Sequence, residues 1–421
     1  MVERGDRERL SAADASNILI DAKDQVNVFL LVGILGSGFD LDDVRTDIDA
    51  RINDPTSTGL GRFSQRVRRA GKVLVWESCT PDLGWHVRQV EPVDGRTGLT
   101  ELAAELMTVP LPLDRPLWEL LVVPGASSGG HGIILRLHHC VADGVAGVRL
   151  VQRLFGDLTQ PTSQPRPAAP TRTPIVRRGW RSRVTSVTRV TAMVRATVPR
   201  TVLLGPIGPR RSLAFAEVDL AGLSRGAKSA GATVNDALLA AVCVAVTTVL
   251  RTAGQPVPSV LPASVPVALP DRGSSGNAVG IMVVHLPTGE PDAVVRLGLI
   301  AAATRTAKAE ARTQGTYELT RTRWGSRLFA RLARHQRFVA LFVTNVRGPD
   351  QPLVMGGAAL QDVWPVVPIQ GNVRFGVAAM SYAGQLRVTV HTDASAVDAR
   401  IAGRALAAEL ARVTGADPGP S

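Results

Sequence analysis

The sequence predicts an α/β protein, and three observations carry that expectation. Short apolar runs bounded by turn residues read as strands at 28–34, 118–123, 279–286 and 386–391. Interleaved with them, apolar residues recur at helical spacing near 99–109, 144–156, 233–250 and 293–312. No fixed-period repeat, glycine-rich phosphate loop or dinucleotide fingerprint breaks this mixture. At 421 residues and 45% hydrophobic composition, the chain is long enough to bury a sizeable core in two or three layered units.

The first strand, 28–34, is a continuous apolar run. A helix near 99–109 leads to the second strand, which opens at Trp118. A further run, Gly132-Ile133-Ile134-Leu135-Arg136-Leu137, also reads as a strand. Its alternation sets Ile133, Leu135, Leu137 and His139 on one face, and Ile134, Arg136 and His138 on the other. After Gly144 the spacing of Val145, Val148, Val151, Leu154 and Phe155 turns helical.

Between that strand and that helix lies the most informative stretch of the chain, His138-His139-Cys140-Val141-Ala142-Asp143-Gly144, in a sequence with only seven histidines. One reading makes both histidines half-buried strand-end residues whose ring nitrogens bond to backbone. The other makes neutral His139 a general base, because imidazole titrates near neutrality and exchanges protons in both directions. His138 then supports the turn. Asp143 is placed to cap the helix that follows, where free amides stabilise a carboxylate. Gly144, lacking a side chain, lets the backbone turn closely beneath the site.

Charge and cysteine usage narrow the function. Cys79, Cys140 and Cys243 are widely spaced and odd in number, which argues against a disulfide framework and a zinc cluster and suits a reducing cytosol. The first nine residues mix charges without an apolar core, so they do not read as a secretory signal. The apolar helix at 237–250 is short of the roughly 20 residues a bilayer needs and is expected to be a core helix, with Thr233 to Asp236 supplying its cap. Residues 160–211 hold eleven arginines and no Asp or Glu, which accounts for nearly all of the net +12. This stretch begins as a Pro/Thr/Arg-rich linker and continues as a basic helix near 184–198. It reads either as a solvated linker or as a patch attracted to anionic lipid headgroups. Nucleic acid is not an expected partner, since aromatic residues are only 4% and do not interleave with the basic ones.

With these residues in view, the chain resembles the bacterial wax ester synthase and acyl-CoA:diacylglycerol acyltransferase family, within the wider set of acyltransferases and condensation domains that carry HHxxxDG. Leu10-Ser11-Ala12-Ala13-Asp14-Ala15 resembles the family's LSxxDA opening, and Pro116-Leu117-Trp118 its PLW motif. Val234-Asn235-Asp236-Ala237 is similar to the ND motif, and Ser275-Gly276-Asn277 with Leu286-Pro287-Thr288 to the GN and LPT stretch. Thr344-Asn345-Val346-Arg347-Gly348-Pro349 resembles the (S/T)NVPGP segment, with Arg347 in place of the family's proline. Ser381-Tyr382-Ala383-Gly384 and Asp393 resemble the closing SYxG and Asp pattern.

The resemblance implies two chloramphenicol acetyltransferase-like lobes, each a mixed sheet with flanking helices, and an active-site tunnel between them. We expect an N-terminal lobe at 1–157, a basic linker and crossover at 158–211, and a C-terminal lobe at 212–421. The implied reaction moves a long-chain acyl group from acyl-CoA, a co-substrate, to diacylglycerol or a long-chain alcohol, with no metal or further cofactor. His139 is the expected base, supported by His138, Asp143 and Gly144. Thr344, Asn345, Asn277 and Trp118 are candidates for substrate or oxyanion contacts; Trp118 also has a core-packing reading. Arg272, Asn235 and Asp236 are candidate structural partners, Arg272 by pairing with Asp143. Two alternatives stay open: a condensation-type enzyme using carrier-protein thioesters, and a non-catalytic lipid-binding protein of the same fold. The expected location is the cytoplasm, with peripheral contact at a membrane or lipid-droplet surface.

Overall fold

Two six-stranded sheets organise the chain, and the order in which the strands enter them decides where the histidine pair sits. The structure, a computed structural model, describes residues 7–21, 25–54, 59–142, 144–156, 198–268, 279–313 and 334–415. The N-terminal half runs β1 (Arg7–Arg9), α1 (Ala12–Ile20), β2 (Val28–Leu35), α2 (Leu41–Asn53), β3 (Gln65–Ala70), β4 (Val73–Ser78), α3 (Leu83–His86), β5 (Val87–Gln89), α4 (Gly95–Leu106), β6 (Trp118–Ser127), β7 (Gly130–His138) and α5 (Gly144–Phe155). The C-terminal half runs β8 (Arg211–Asp219), α6 (Leu220–Ser229), α7 (Val234–Thr252), β9 (Leu261–Ala268), β10 (Val279–Leu286), α8 (Ala293–Thr313), β11 (Leu341–Arg347), β12 (Val354–Met355), β13 (Ala358–Val366), β14 (Phe375–Tyr382), β15 (Gln385–Asp393) and α9 (Ala399–Thr414).

The first sheet has the order β12-β13-β2-β7-β6-β5. All of β2 is buried, which explains its unbroken apolar sequence: it pairs with β13 on one side and β7 on the other, and both of its faces are covered. β7 follows the expected alternation. Ile133, Leu135 and Leu137 join Phe29 and Leu31 beneath α5, whereas Ile134 joins Leu30 and Val32 against Leu99 and Ala103 of α4. Arg136, on the α4 side, is almost fully buried and paired with Glu119, its cross-strand neighbour on β6. Arg88 binds the second oxygen of that carboxylate at 2.8 Å, so both oxygens of buried Glu119 face a guanidinium.

The second sheet, β10-β9-β11-β14-β15-β8, carries α7, α8 and α9 on one face. α7 is longer than the sequence suggests, 19 residues rather than fourteen, and by length and composition alone it reaches what a bilayer crossing requires. It is nevertheless a core helix, with Leu238, Leu239, Val242 and Val246 fully buried against the sheet. Its capping box forms as expected: the Thr233 hydroxyl accepts from the Asp236 amide, and the Asp236 carboxylate accepts from the Thr233 amide.

The sheets do not follow a division of the chain at residues 157 and 212. β12 and β13, at 354–366, leave the C-terminal half and complete the first sheet through antiparallel pairing with β2. At the other boundary, Val198 and Leu203 are already buried in the C-terminal core, and the Arg337 guanidinium donates to the Val198 carbonyl. The basic helix expected at 184–198 falls on residues outside the described ones, apart from Val198. Where the two sheets meet, Arg387 of β15 pairs with Asp362 of β13 at 2.5 Å and with Glu217 of β8. Arg96 of α4 lies over the Trp364 ring, 4.3 Å from its centroid, and joins both carboxylates.

Two histidines in this framework are buried and neutral. His86 Nδ1 donates to the Trp118 carbonyl at 2.7 Å, and His391 Nδ1 donates to the Val367 carbonyl at 2.7 Å; neither Nε2 has a partner. Burial lowers their pKa values from 6.5 to about 4 and about 3. Because both folded values are depressed, the unfolded chain takes up these protons first as pH falls. The stabilisation is whole above pH 6.5 and is lost progressively toward pH 4 and 3, at on the order of 3 kcal/mol per group. Thermal melts at pH 7, 5.5 and 4.5 are expected to show Tm falling with pH. His86→Phe, which retains the stacking on Trp118, should lessen the fall.

Candidate active site

β7 ends at His138, and the next residues turn back sharply: the Val141 amide donates to the His138 carbonyl at 2.9 Å. The two imidazoles therefore diverge. His138 is fully buried, and its hydrogen bonds assign its tautomer. Nδ1 accepts from the Cys140 amide at 3.0 Å, so the proton sits on Nε2, which donates to Asp21 Oδ2 at 2.9 Å. This ring is committed to structure. His139 continues the Leu135 and Leu137 face, is half-buried, and meets the Phe29 ring edge-on at 5.4 Å. Among the described residues no group hydrogen-bonds to its ring.

Desolvation brings the His139 pKa down from 6.5 to about 4; His138 adds to the fall and Asp21 opposes it. His139 is therefore neutral at physiological pH, the form a general base requires. Cys140 beside it is buried, and burial pushes its thiol well above the usual range, so it remains a protonated, unreactive side chain.

The residues that hold this turn were not among the sequence candidates. Asp21 follows α1 and grips both His138 and the Asn27 amide, the latter at 2.5 Å. The Asn27 carbonyl accepts from the His139 amide at 3.0 Å, and Asn17 Nδ2 donates to the His139 carbonyl at 3.2 Å. The brace extends to the C-terminal half, where Gln370 Nε2 donates to Asn27 Oδ1 at 2.5 Å. Gln25 exchanges two hydrogen bonds with Gly371, at 2.8 and 2.9 Å. Only the LSxxDA resemblance pointed toward this region. The polar residues just beyond it, Asn17, Asp21, Gln25 and Asn27, lie over a hundred residues from the histidines in sequence.

Comparison with known proteins identifies the family. Residues 36–202 match the wax ester synthase/diacylglycerol acyltransferase catalytic domain, and residues 275–412 match the C-terminal domain of the same proteins. The chain belongs to the wax ester synthase/diacylglycerol acyltransferase family. It is 30% identical over 376 residues to tgs1 of Mycobacterium tuberculosis, described as a probable diacylglycerol O-acyltransferase, covering 79% of this chain and 80% of that one. The wax ester synthase/diacylglycerol acyltransferase of Marinobacter aquaeolei VT8 superposes with a TM-score of 0.70 at 21% identity, covering 97% of this chain and all of the other. The first condensation domain of the CDA synthetase shares the fold, with a TM-score of 0.62 at 16% identity over 99% and 98% of the two chains. The chain is thus an acyltransferase by family, with the two-lobed mixed α/β architecture of that family.

The other family motifs serve different ends. Trp118 of the PLW motif is fully buried, stacked on His86 at 4.5 Å and bonded through Nε1 to the Phe63 carbonyl at 3.0 Å. It packs the core. Asp236 of the ND motif closes the α7 cap and accepts from Thr304 of α8 at 2.6 Å, joining two core helices; Asn235 shares that helix end. The NVRGP segment lies on β11, where alternation groups Thr344 with Val346 and turns Asn345 toward the side of buried Val343. Val346 approaches the start of α5: a Cβ on Gly144 would lie 3.6 Å from its Cγ1. That is an ordinary contact, so close backbone packing does not demand a glycine at 144. Gly147 is the crowded position, where a Cβ would come within 2.6 Å of Phe29 Cζ. Arg347, in the proline's place, pairs with Asp350 at 2.9 Å across the following turn. Buried Asp393 accepts from the Gly208 amide and the Ser395 hydroxyl and is structural. Asp143, Arg272 and Asn277 lie outside the described residues. Among the described residues, no three His, Cys, Asp or Glu side chains converge to hold a metal ion.

If Asp21 holds the His138 tautomer and through it the turn, Asp21→Ala should lower kcat by about 10- to 100-fold with KM little changed, the scale of losing one buried, charge-assisted hydrogen bond. Asp21→Asn retains an acceptor and should recover part of the loss. Steady-state kinetics on the pair, with circular dichroism to confirm folding, provide the check; equal loss in both variants would contradict the positioning role.

Proposed function

We propose that the protein transfers a long-chain acyl group from acyl-CoA to the hydroxyl of diacylglycerol or a long-chain alcohol, with His139 as the general base. The observation that carries this reading is the contrast between the two adjacent imidazoles. His138 has both nitrogens engaged, while His139 is neutral and receives no hydrogen bond at its ring from the described residues. A ring nitrogen of His139 takes the hydroxyl proton as the alcohol oxygen attacks the thioester carbonyl. The tetrahedral oxyanion then collapses, the C–S bond breaks, and the proton passes from His139 to the departing CoA sulfur. Because the thiolate is a good leaving group, the chain needs only to align two substrates, move one proton and stabilise one oxyanion. No further cofactor is required.

Oxyanion stabilisation falls to Thr344, on the strand face that meets Gly144, with the positive N-terminal end of the α5 dipole beside it. Asn345 is on the opposite strand face and has no part in this scheme. The same proposal places the protein in the cytoplasm, reaching its lipid acceptors at a membrane or lipid-droplet surface through the arginines of residues 160–211.

Release of CoA from hexadecanoyl-CoA, measured against diacylglycerol, hexadecanol and a short alcohol, tests the reading. His139→Ala is expected to lower turnover by about 10² to 10⁴-fold in a protein that remains folded. With the wild type, the acidic limb of kcat/KM should lie near pH 4, because burial keeps His139 deprotonated below its ordinary 6.5. A limb that persists unchanged in the residual activity of His139→Ala would show that another group is the base.

A further inference from the structure

We propose that the outer face of the three-stranded sheet, where Arg7, Arg9, Arg66 and Arg68 surround Glu77, docks the protein on the anionic headgroups of a phospholipid bilayer. This rests on the reading of the acceptor as a lipid, and adds a folded surface to the arginines of 160–211. The sheet has the order β1-β4-β3 and is separate from the two six-stranded ones. Residues directly opposite in antiparallel strands share a face. The register sets Arg7 and Arg66 on either side of Glu77, and Arg9 and Arg68 on either side of Val75. The other face turns Val67 and Trp76 inward, against Leu10, Val28 and Cys140. Core packing thus uses one face of this sheet, and the arginines stand on the other.

One carboxylate gathers the guanidiniums. Arg7 donates to Glu77 Oε1 through Nε and Nη2, at 3.0 and 2.7 Å, and Arg66 donates to Oε2 through the same two nitrogens, at 3.0 and 2.9 Å. Arg68 Nη1 reaches both oxygens, at 3.2 and 3.1 Å. Hydrogen bonds from Arg68, Arg7 and Arg66 bring the Glu77 pKa from 4.5 down to about 2, so the carboxylate stays ionised. Its side chain is only 10% exposed, whereas those of Arg7 and Arg68 are more than half exposed. Four guanidiniums over one carboxylate leave a net charge of +3 on this face. Charges that merely guard a sheet edge can stand anywhere along it; these are drawn together. The array is flat, two strand spacings or roughly 10 Å across and two residues or roughly 7 Å along. Planar donors spread in this way fit a plane of phosphates. At the rim, Arg66 Nη1 donates to the Asp114 carbonyl at 3.3 Å, and neighbouring Leu113 is 43% exposed. Interfacial binding combines attraction to anionic lipids with buried apolar area, and this leucine supplies the second. That combination favours a bilayer over an acidic protein. β1 runs through Leu10 into α1, whose Asn17 and following Asp21 hold the histidine turn. Resting on this face carries the turn about one packing layer, roughly 10 Å, from the headgroups.

Flotation of the full chain with vesicles tests the docking. Wild type should bind vesicles of phosphatidylcholine and phosphatidylglycerol in equal parts far better than phosphatidylcholine alone, and release them as salt screens the charges. Arg9→Gln/Arg68→Gln, which leaves Arg7 and Arg66 on Glu77, should weaken binding by about 30-fold, about fivefold for each charge. Arg400→Gln/Arg404→Gln, an equal change of charge on exposed α9 residues, should leave binding nearly unchanged. Replacing the arginines of 166–195 by glutamine should leave a residual affinity that Arg9→Gln/Arg68→Gln then removes. In wild type, with no substitution, the mixed vesicles should slow amide hydrogen exchange over residues 65–78. Equal binding to both kinds of vesicle, equal losses in the two double variants, or protection confined to other segments overturns the proposal. Binding to poly-glutamate without binding to vesicles also overturns it and assigns the face to an acidic protein. CoA release from hexadecanoyl-CoA with detergent-dispersed hexadecanol is measured in parallel. Vesicle binding without CoA release overturns the acyltransferase reading and leaves the docking face standing; CoA release without vesicle binding does the reverse.

Discussion

The two-residue repeat of β7 is the constraint on which the rest of the site depends. Held between β2 and β6, the strand cannot slip by one residue without turning its apolar set onto the wrong face. That register sends Arg136 and His138 to one side and Leu135 and Leu137 to the other. At the strand end it directs one imidazole into a structural hydrogen-bond pair and turns its neighbour to the opposite face. Two adjacent residues of the same type thus acquire different chemistry from backbone geometry alone. The Asp21 carboxylate completes the distinction by fixing which nitrogen of His138 carries the proton.

The turn carrying His139 is clamped from both halves of the chain. Asn17, Asp21 and Asn27 grip it from the N-terminal side, and Gln370 reaches Asn27 from the connection between β13 and β14. That connection is near only because β13 pairs with β2, the exchange that makes the two lobes one unit. The seam of Arg96, Glu217, Asp362 and Arg387 reinforces the join. Arg387 and Asp362 are mostly withdrawn from water, and each keeps a second partner in the seam, Glu217 for Arg387 and Arg96 for Asp362. The geometry at His139 is consequently a property of the assembled lobes.

The surroundings of His139 are apolar, and this has two effects on the proposed chemistry. Desolvation keeps the imidazole neutral, so the base form is present throughout the physiological range. The same low polarity strengthens any hydrogen bond offered to a developing oxyanion and suits hydrocarbon substrates. The cost is a weaker ground-state base, so proton transfer must coincide with charge developing on the substrate.

Much of the fold was legible in the sequence, because it rests on periodicity. Strands at 28–34 and 279–286, and helices at 144–156 and 293–312, fall within a residue or so of the observed elements, and the faces assigned to β7 hold. The histidine pair stood out for the same reason: its chemistry is carried by neighbours in sequence. Asp236 as a helix cap was also readable, since a cap and its helix are contiguous. What the sequence could not decide involves contacts between distant segments. Trp118 favours a core-packing reading in sequence, but a substrate contact stays open until His86 and Phe63 are brought against it. Asp21 is one acidic residue among 36 until the fold sets it beside His138. The transfer of β12 and β13 into the first sheet leaves no local trace, because an apolar strand satisfies either sheet equally well; pairing with β2 is decided only when the lobes pack. The sequence by itself determined the elements, their faces and the histidine motif. The tertiary structure alone decided which of the two histidines is tied to Asp21 and which residues hold the turn, because hydrogen bonds and burial depend on distance in space.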